Sequence, residues 1–398
     1  MNDSIASGAS RWRAVAGTLI VAGLALTDIG FAAEGGVSRF GFTYLLGFTF
    51  VWSIVLGSLF FVALQHLTRS VWSVVIRRVA EMLAAPMAVI GLAFVPVLLF
   101  AVLPDRFGLF PWTDPAVVAG DHVLEGKRAY LNPGFFAARA AAFFLIWIAY
   151  ARFFVGRSLQ QDAGAGQEKK TLAMRRFSAP FMLLFALSLT FASFDWLMSL
   201  DPHWFSTIYG VYVFSGATLA ALAAITLAVV GMRARGKLGQ GLVTDDHLYS
   251  LGGFLFAFTC FWAYIAFSQF MLIWYSNLPE ETAWFHVRLG PGWIGVTLAL
   301  AVLRFGLPFF LLLSREAKRN ARRLAITSVV VLAGQLVDLY WLIMPQLDGH
   351  GPRPSLGELG PALFLAGVLV LCLGRFLSRH RPMAVGDPLL SESLRFHL

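Results

Sequence analysis

The run FASFDWLMSLDPHWFSTIYG, Phe191 to Gly210, sets an ionisable Asp195 inside an apolar segment and closes it with a polar, aromatic knot of Asp201, Pro202, His203 and Trp204. A carboxylate within a membrane span costs about 2.5 to 3.5 kcal/mol on insertion scales, so Asp195 either sits near an interface or answers to a function. The composition around it makes a membrane the right solvent. The 398 residues are 58% hydrophobic and 13% charged, with mean hydropathy +0.72, whereas a soluble globular domain carries about 25% charge. The fold class is therefore an all-α polytopic membrane protein, and the Phe191–Gly210 run is the end of one span and the turn into the next.

Outward from that run, segments long enough to cross about 30 Å at 1.5 Å per residue recur about ten times. They fall near residues 13–33, 40–65, 79–103, 134–155, 177–200, 208–231, 248–274, 290–313, 324–345 and 359–378. The first has two readings. Arg11 and Arg13 before an apolar core, with Phe31-Ala32-Ala33 after it, also resemble a signal peptide and its cleavage site; we read it as a retained span. Most of the 31 Lys and Arg lie at the termini and in alternate loops, which predicts cytoplasmic termini and an outer position for the Asp201–Trp204 knot. The net charge of +9 is thus a matter of topology. No basic face interleaved with aromatics points to nucleic acid.

The spacing of long and short loops suggests two four-helix bundles, spans two to five and six to nine, flanked by spans one and ten. The corresponding divisions are 1–39, 40–204, 205–345 and 346–398. Residues 156–176, rich in Gly, Gln and Lys, read as a flexible cytoplasmic link. Residues 104–133 read as an ordered outer cap whose Pro, Trp and Phe residues are expected to form an interfacial belt. Pro86, Pro96 and Pro308 mark expected kinks.

Two cysteines, Cys260 and Cys372, both in apolar runs, provide no disulfide framework, no CxxCH haem attachment and no four-thiolate cluster. The eight histidines fall in loops, at span ends or in the tail, which leaves no paired axial ligands at depth. No metal site is expected. Any electrons must be carried by a quinone or by partner subunits.

Counting along each span places Asp28, Asp195 and Asp338 in the outer half, with Arg139 entering from the opposite direction. Buried charges in a bilayer face the bundle interior and pair, so Arg139 is the natural counter-ion for one or more of these aspartates. A carboxylate so placed accepts protons from a quinol or forms part of a proton exit path; the alternative is a salt bridge that only sets helix register. Glu81 and Arg304 are the other ionisable groups counted within spans, and Arg304 is expected to snorkel to the headgroups. Span seven carries a dense aromatic run with Gln269 as a polar exception. Gln269, Trp196 and His203 are weak candidates for quinone contact.

Five stretches, KRAYLNPGFFAAR (127–139), SFDWLMSLDPHWFSTIYGVYVFSG (193–216), FWAYIAFSQFMLIWYSNLPEETAWF (261–285), LPFFLLLSREAKRN (307–320) and VDLYWLIMPQ (337–346), together resemble the ActF membrane subunits of bacterial alternative complex III, an NrfD-like family. The resemblance implies two four-helix bundles plus flanking helices in a bacterial inner membrane. It also implies a place in a quinol:cytochrome c or quinol:oxidase oxidoreductase, beside an ActC-like membrane subunit, a multihaem cytochrome, an iron–sulfur subunit, small membrane subunits and a terminal oxidase. Haems and iron–sulfur clusters are then expected only in those partners, with lipid or quinone as this chain's own contacts. It more readily implies a scaffold or proton-handling subunit than the quinol-oxidising centre, and it does not reach Asp28. The rival reading is a ten-span proton- or ion-coupled secondary transporter.

Overall fold

The computed structural model describes residues 2–33, 36–103, 108–164 and 167–398, with side chains from Trp12 onward except Ala33. Ten helical spans are present among them: Trp12–Ala32, Gly36–Leu67, Val74–Val102, Pro133–Asp162, Gln167–Leu200, Tyr209–Ala234, Asp245–Ser276, Ile294–Leu312, Ala321–Gln346 and Leu356–Arg379. No strand occurs among the described residues. Spans two to five pack as one bundle and six to nine as another, joined along spans two and six. There Phe60 and Phe214 meet edge to face at 5.0 Å. Span two is buried nearly all round, which is why it reads as apolar on every face. Spans one and ten run antiparallel in close contact, a Cβ on Gly23 falling 2.4 Å from the Phe364 backbone nitrogen. Both chain ends therefore lie on one face, the terminal face, and the Asp201–Trp204 knot on the other.

Proline shapes two spans as expected. Span three is three helical pieces, Val74–Ala84, Met87–Ala93 and Val95–Val102, broken at Pro86 and just before Pro96. Span eight widens into a π-helical turn, Val302–Gly306, immediately before Pro308. Proline has no N–H and its ring crowds the carbonyl four residues back, here that of Arg304, so the helix opens at that point.

Three expectations change. The link over 156–176 is mostly helix, because span four continues to Asp162 and span five begins at Gln167. Gln161 closes the gap, donating to the Thr171 hydroxyl at 2.7 Å and to the Gln167 carbonyl at 3.1 Å. Residues 104–107 of the expected cap lie outside the described residues, while 108–133 fold into short helices capped by Asp114 and Asp121. The cap's Phe110 and Trp112 are buried against Phe136 of span four, with ring centroids 5.6 and 5.5 Å away, instead of forming a belt in the interface. Finally, span three starts at Val74, which takes Arg77 and Arg78 into the helix.

Candidate functional site

Span four begins behind Asn132, whose side chain accepts from the Phe135 N–H at 2.9 Å, with Pro133 at its first position. Arg139 follows about two turns in and meets Asp195 near the end of span five. Its Nε lies 2.7 Å from Oδ2 and its Nη2 3.0 Å from Oδ1, a two-pronged pair. Nη1 donates to the Tyr130 carbonyl at 2.9 Å, and the guanidinium lies 3.8 and 4.2 Å from the ring centres of Tyr130 and Phe135. Arg139 is 8% exposed and Asp195 fully buried.

The second bundle holds a second pair. Arg304, on the π turn of span eight, places Nε 3.6 Å from Oδ2 of Asp338 in span nine. The snorkelling expected of Arg304 does not occur, since it is fully buried. Its guanidinium donates to the Gln335 side-chain oxygen, to the Gly216 carbonyl at 3.2 Å and to the Val331 carbonyl at 3.3 Å, and it lies 5.2 Å from the Trp262 ring. The widened turn aims this side chain across the bundle, where four partners compensate its desolvation. Asp338 also accepts a hydrogen bond from the Tyr212 hydroxyl of span six. Beside Asp338 lies a cavity of about 10 Å³ between spans two, six and nine. Thr49, Ser53, Tyr212 and Gln335 contribute polar groups to its wall, and a space of that size and polarity suits one water molecule.

The four expected charges, joined by Arg304, therefore form two pairs and one outlier. Each bundle has an Arg on its third span and an Asp on its fourth, while Asp28 is exposed on span one. The surrounding sequences run in parallel. SFDWLMSLDPHW across the end of span five and LVDLYWLIMPQLDGH across the end of span nine both carry an aspartate, an apolar aromatic run, and then Leu-Asp-Pro-His or Leu-Asp-Gly-His. That likeness, with an arginine one span earlier, is the signal that predicts two sites in place of one.

The Asp201–Trp204 knot is a clasp. Gln346 at the end of span nine donates to Asp201 at 3.2 Å, Lys127 donates to the Pro202 carbonyl at 2.5 Å, and His203 pairs with Asp121 of the cap. Trp204 stacks on Trp284 at 4.4 Å and donates to the Glu281 carbonyl at 3.1 Å, while Trp112 donates to Ser199 at 3.1 Å. One short turn thus ties together the cap, the loop after span seven and the end of span nine. The Asp121 carboxyl is held below its usual range chiefly by the Leu124 N–H, against an opposing effect of desolvation, with His203 and the Val123 N–H adding to the lowering. Burial lowers Lys127, against the pull of Asp201 and Asp121.

The quinone-contact candidates have different surroundings. Trp196 lies in an aromatic core with Phe94 at 4.4 Å, Trp52 at 5.2 Å and Phe144 at 5.6 Å. His203 is on the clasp. Gln269 is buried on span seven, its Oε1 without a hydrogen-bond partner among the described residues. The aromatic run of the same span faces outward in part, with Tyr264 and Trp274 each 66% exposed. The three candidate residues do not come together in one place. Among the described residues no group of three His, Cys, Asp or Glu is placed to hold a metal ion.

Three buried arginine networks escaped the sequence reading. On the terminal face Glu81 lies 3.3 Å from Arg77 and 2.9 Å from Arg78; Arg77 also pairs with Asp387 of the tail, and Arg78 with Asp162 at 2.8 Å. On the clasp face Arg39 joins Asp348 at 2.9 Å and Glu358. Arg288 donates to the carbonyls of Trp284, Trp341 and Leu342 at 3.0–3.1 Å. The Arg77/Arg78 to Glu81 spacing, i to i+4 and i+3, was visible in VIRRVAEM; the other partners are remote in sequence. The chain matches no protein-family model, and comparison with curated proteins finds no match.

Proposed function

We propose that this chain is an integral membrane subunit of a respiratory quinol oxidoreductase, in a complex that delivers electrons to cytochrome c or to a terminal oxidase. Within it the chain acts as a scaffold and handles protons, the clasp face being outside and the terminal face cytoplasmic in a bacterial inner membrane. Its partners in this reading are an ActC-like membrane subunit, a multihaem cytochrome, an iron–sulfur subunit and small membrane subunits, which supply the haems and clusters. The resemblance of the five stretches supports the complex. The observation that carries the proton role is Asp338, fully buried between bundles, hydrogen-bonded to Tyr212, within reach of Arg304 and beside space for one water. Such a carboxylate takes a proton from a water on one side and passes it on when the Arg304 contact tightens, because the cation favours the charged form. A space of this size suits a proton carrier better than an organic ion.

Purification under mild detergent tests the complex: haem absorbance should co-purify with a chain that holds no haem motif. Solute uptake by vesicles containing this chain alone would instead support the transporter reading. For the proton role, Asp338→Asn in the assembled complex should lower proton translocation per quinol by at least tenfold while haem content stays unchanged. Unaltered translocation at every pH would leave Asp338 a structural role only.

A further inference from the structure

A groove of about 500 Å³ opens on the terminal face between spans one, three and ten. The cavity beside Asp338 offers about 10 Å³, so this is a space of a different kind. Arg13 at the start of span one and Arg375 and Arg379 in the last turns of span ten line it together. The buried arginines of the molecule are answered internally: Arg39, Arg77, Arg78, Arg139 and Arg304 by carboxylates and Arg288 by carbonyls. Arg13, Arg375 and Arg379 have no carboxylate within ion-pair distance among the described residues, and all three are exposed. Arg375 and Arg379 stand four apart on one helix, where like charges repel unless an anion lies between them.

The rest of the groove has the character of a membrane interface. Gly374 lets Trp12 lie directly against span ten, since a Cβ there would fall 2.7 Å from Cβ of Trp12. An indole at the level of the headgroups is a common membrane anchor. The walls below the arginines are apolar, with Val89 half-buried and Leu371 44% exposed. Three cations above an apolar wall, at the ends of spans, match the two parts of a phospholipid: an anionic phosphodiester head and an acyl chain. Arginine suits a phosphate in particular because its planar donor fork matches the phosphate oxygens.

We propose that this groove binds one anionic phospholipid, with its phosphodiester held by Arg13, Arg375 and Arg379 and its acyl chain against Leu371 and Val89. The site is separate from both Arg–Asp pairs and needs no partner chain. Near a membrane surface each Arg contributes about fivefold to such binding, so loss of all three should weaken it by about a hundredfold.

The test is native mass spectrometry of the full chain in detergent, titrated with phosphatidylglycerol, phosphatidylcholine or inorganic phosphate. The expected result is one tightly held phosphatidylglycerol, weaker by about a hundredfold in Arg13→Gln/Arg375→Gln/Arg379→Gln and largely restored in the triple Lys variant. An unchanged melting temperature of the Gln variant would exclude unfolding as the cause. Should that variant fold poorly, Arg375→Gln alone, at an exposed position, should show about a fivefold loss. Equal binding of phosphatidylcholine, or no loss in either Gln variant, would overturn the proposal. Displacement of the lipid by inorganic phosphate at equal concentration would do the same and leave a site for the free ion. A photo-crosslinker at Leu371 should label lipid in membranes; labelling of a protein there would refute lipid occupancy.

Discussion

Asp195→Asn keeps the shape of the first bundle's acid and removes its charge, so Arg139 is left in the bundle with no counter-ion. Breaking a buried ion pair by deleting one partner costs about 3–5 kcal/mol. The lower end applies here, because Arg139 keeps the Tyr130 carbonyl and the faces of Tyr130 and Phe135, contacts worth about 2 kcal/mol when desolvated. We expect about 3 kcal/mol. Arg139→Met is the harsher change, since Asp195 is fully buried and loses both contacts to the guanidinium; about 4–5 kcal/mol is expected. The double variant Arg139→Met/Asp195→Leu replaces both charges by apolar groups of similar size and should lie within about 1 kcal/mol of the parent, as such swaps of buried pairs often do. The measurement is reversible unfolding in mixed micelles for the parent, Asp195→Asn, Arg139→Met, Asp195→Leu and the double variant, the coupling being taken from Arg139→Met, Asp195→Leu and their combination. The coupling between the sites should then be several kcal/mol. Strictly additive losses, within about 0.5 kcal/mol, would refute a buried, mutually compensating pair. Retained stability in the double variant together with lost turnover of the complex would separate a chemical role for the pair from a structural one.

Two further outcomes follow from the faces of the molecule. On the clasp face, Asp121 has its pKa depressed on folding, so its contribution is present above the ordinary value of 3.8 and is lost as pH falls through the lower folded value. Limited proteolysis of the cap should therefore accelerate below about pH 4 in the parent, and Asp121→Ala should be cut faster at neutral pH with little further change on acidification. On the terminal face, Asp387→Ala removes a carboxylate from buried Arg77 but leaves Glu81 in place. The expected loss is about 1–3 kcal/mol, read by unfolding in detergent, with faster hydrogen exchange confined to the tail and the start of span three.

The ten spans, their approximate ends and the kinks at Pro86, Pro96 and Pro308 were legible without coordinates, because hydrophobic length and proline chemistry act locally. Arg139 as a counter-ion for an outer-half aspartate was legible too, since these are rare charges in apolar runs that depth counting puts at one level; that the partner is Asp195, and not Asp28 or Asp338, came from the fold. Other features were hidden for reasons of distance. Arg304 reads like a snorkelling residue until the π turn before Pro308 is seen to aim it at Asp338, Gln335 and Gly216. Phe110 and Trp112 look like an interfacial belt until Phe136 covers them. Asp387 and Asp162 sit in polar stretches that resemble solvated tail and loop, yet they serve as the counter-ions of Arg77 and Arg78.

Sequence alone determined that this chain lives in a membrane and how often it crosses. Transfer free energy is a property of each segment, and no folding is needed to add it up. Only the tertiary structure decided which charge meets which. It divided one expected outer cluster into two Arg–Asp pairs, one per bundle, left Asp28 exposed, and made the Asp201–Trp204 turn the clasp of its face. The energy of an ion pair depends on separations set by helices far apart in the chain, and those separations exist only once the bundles have packed.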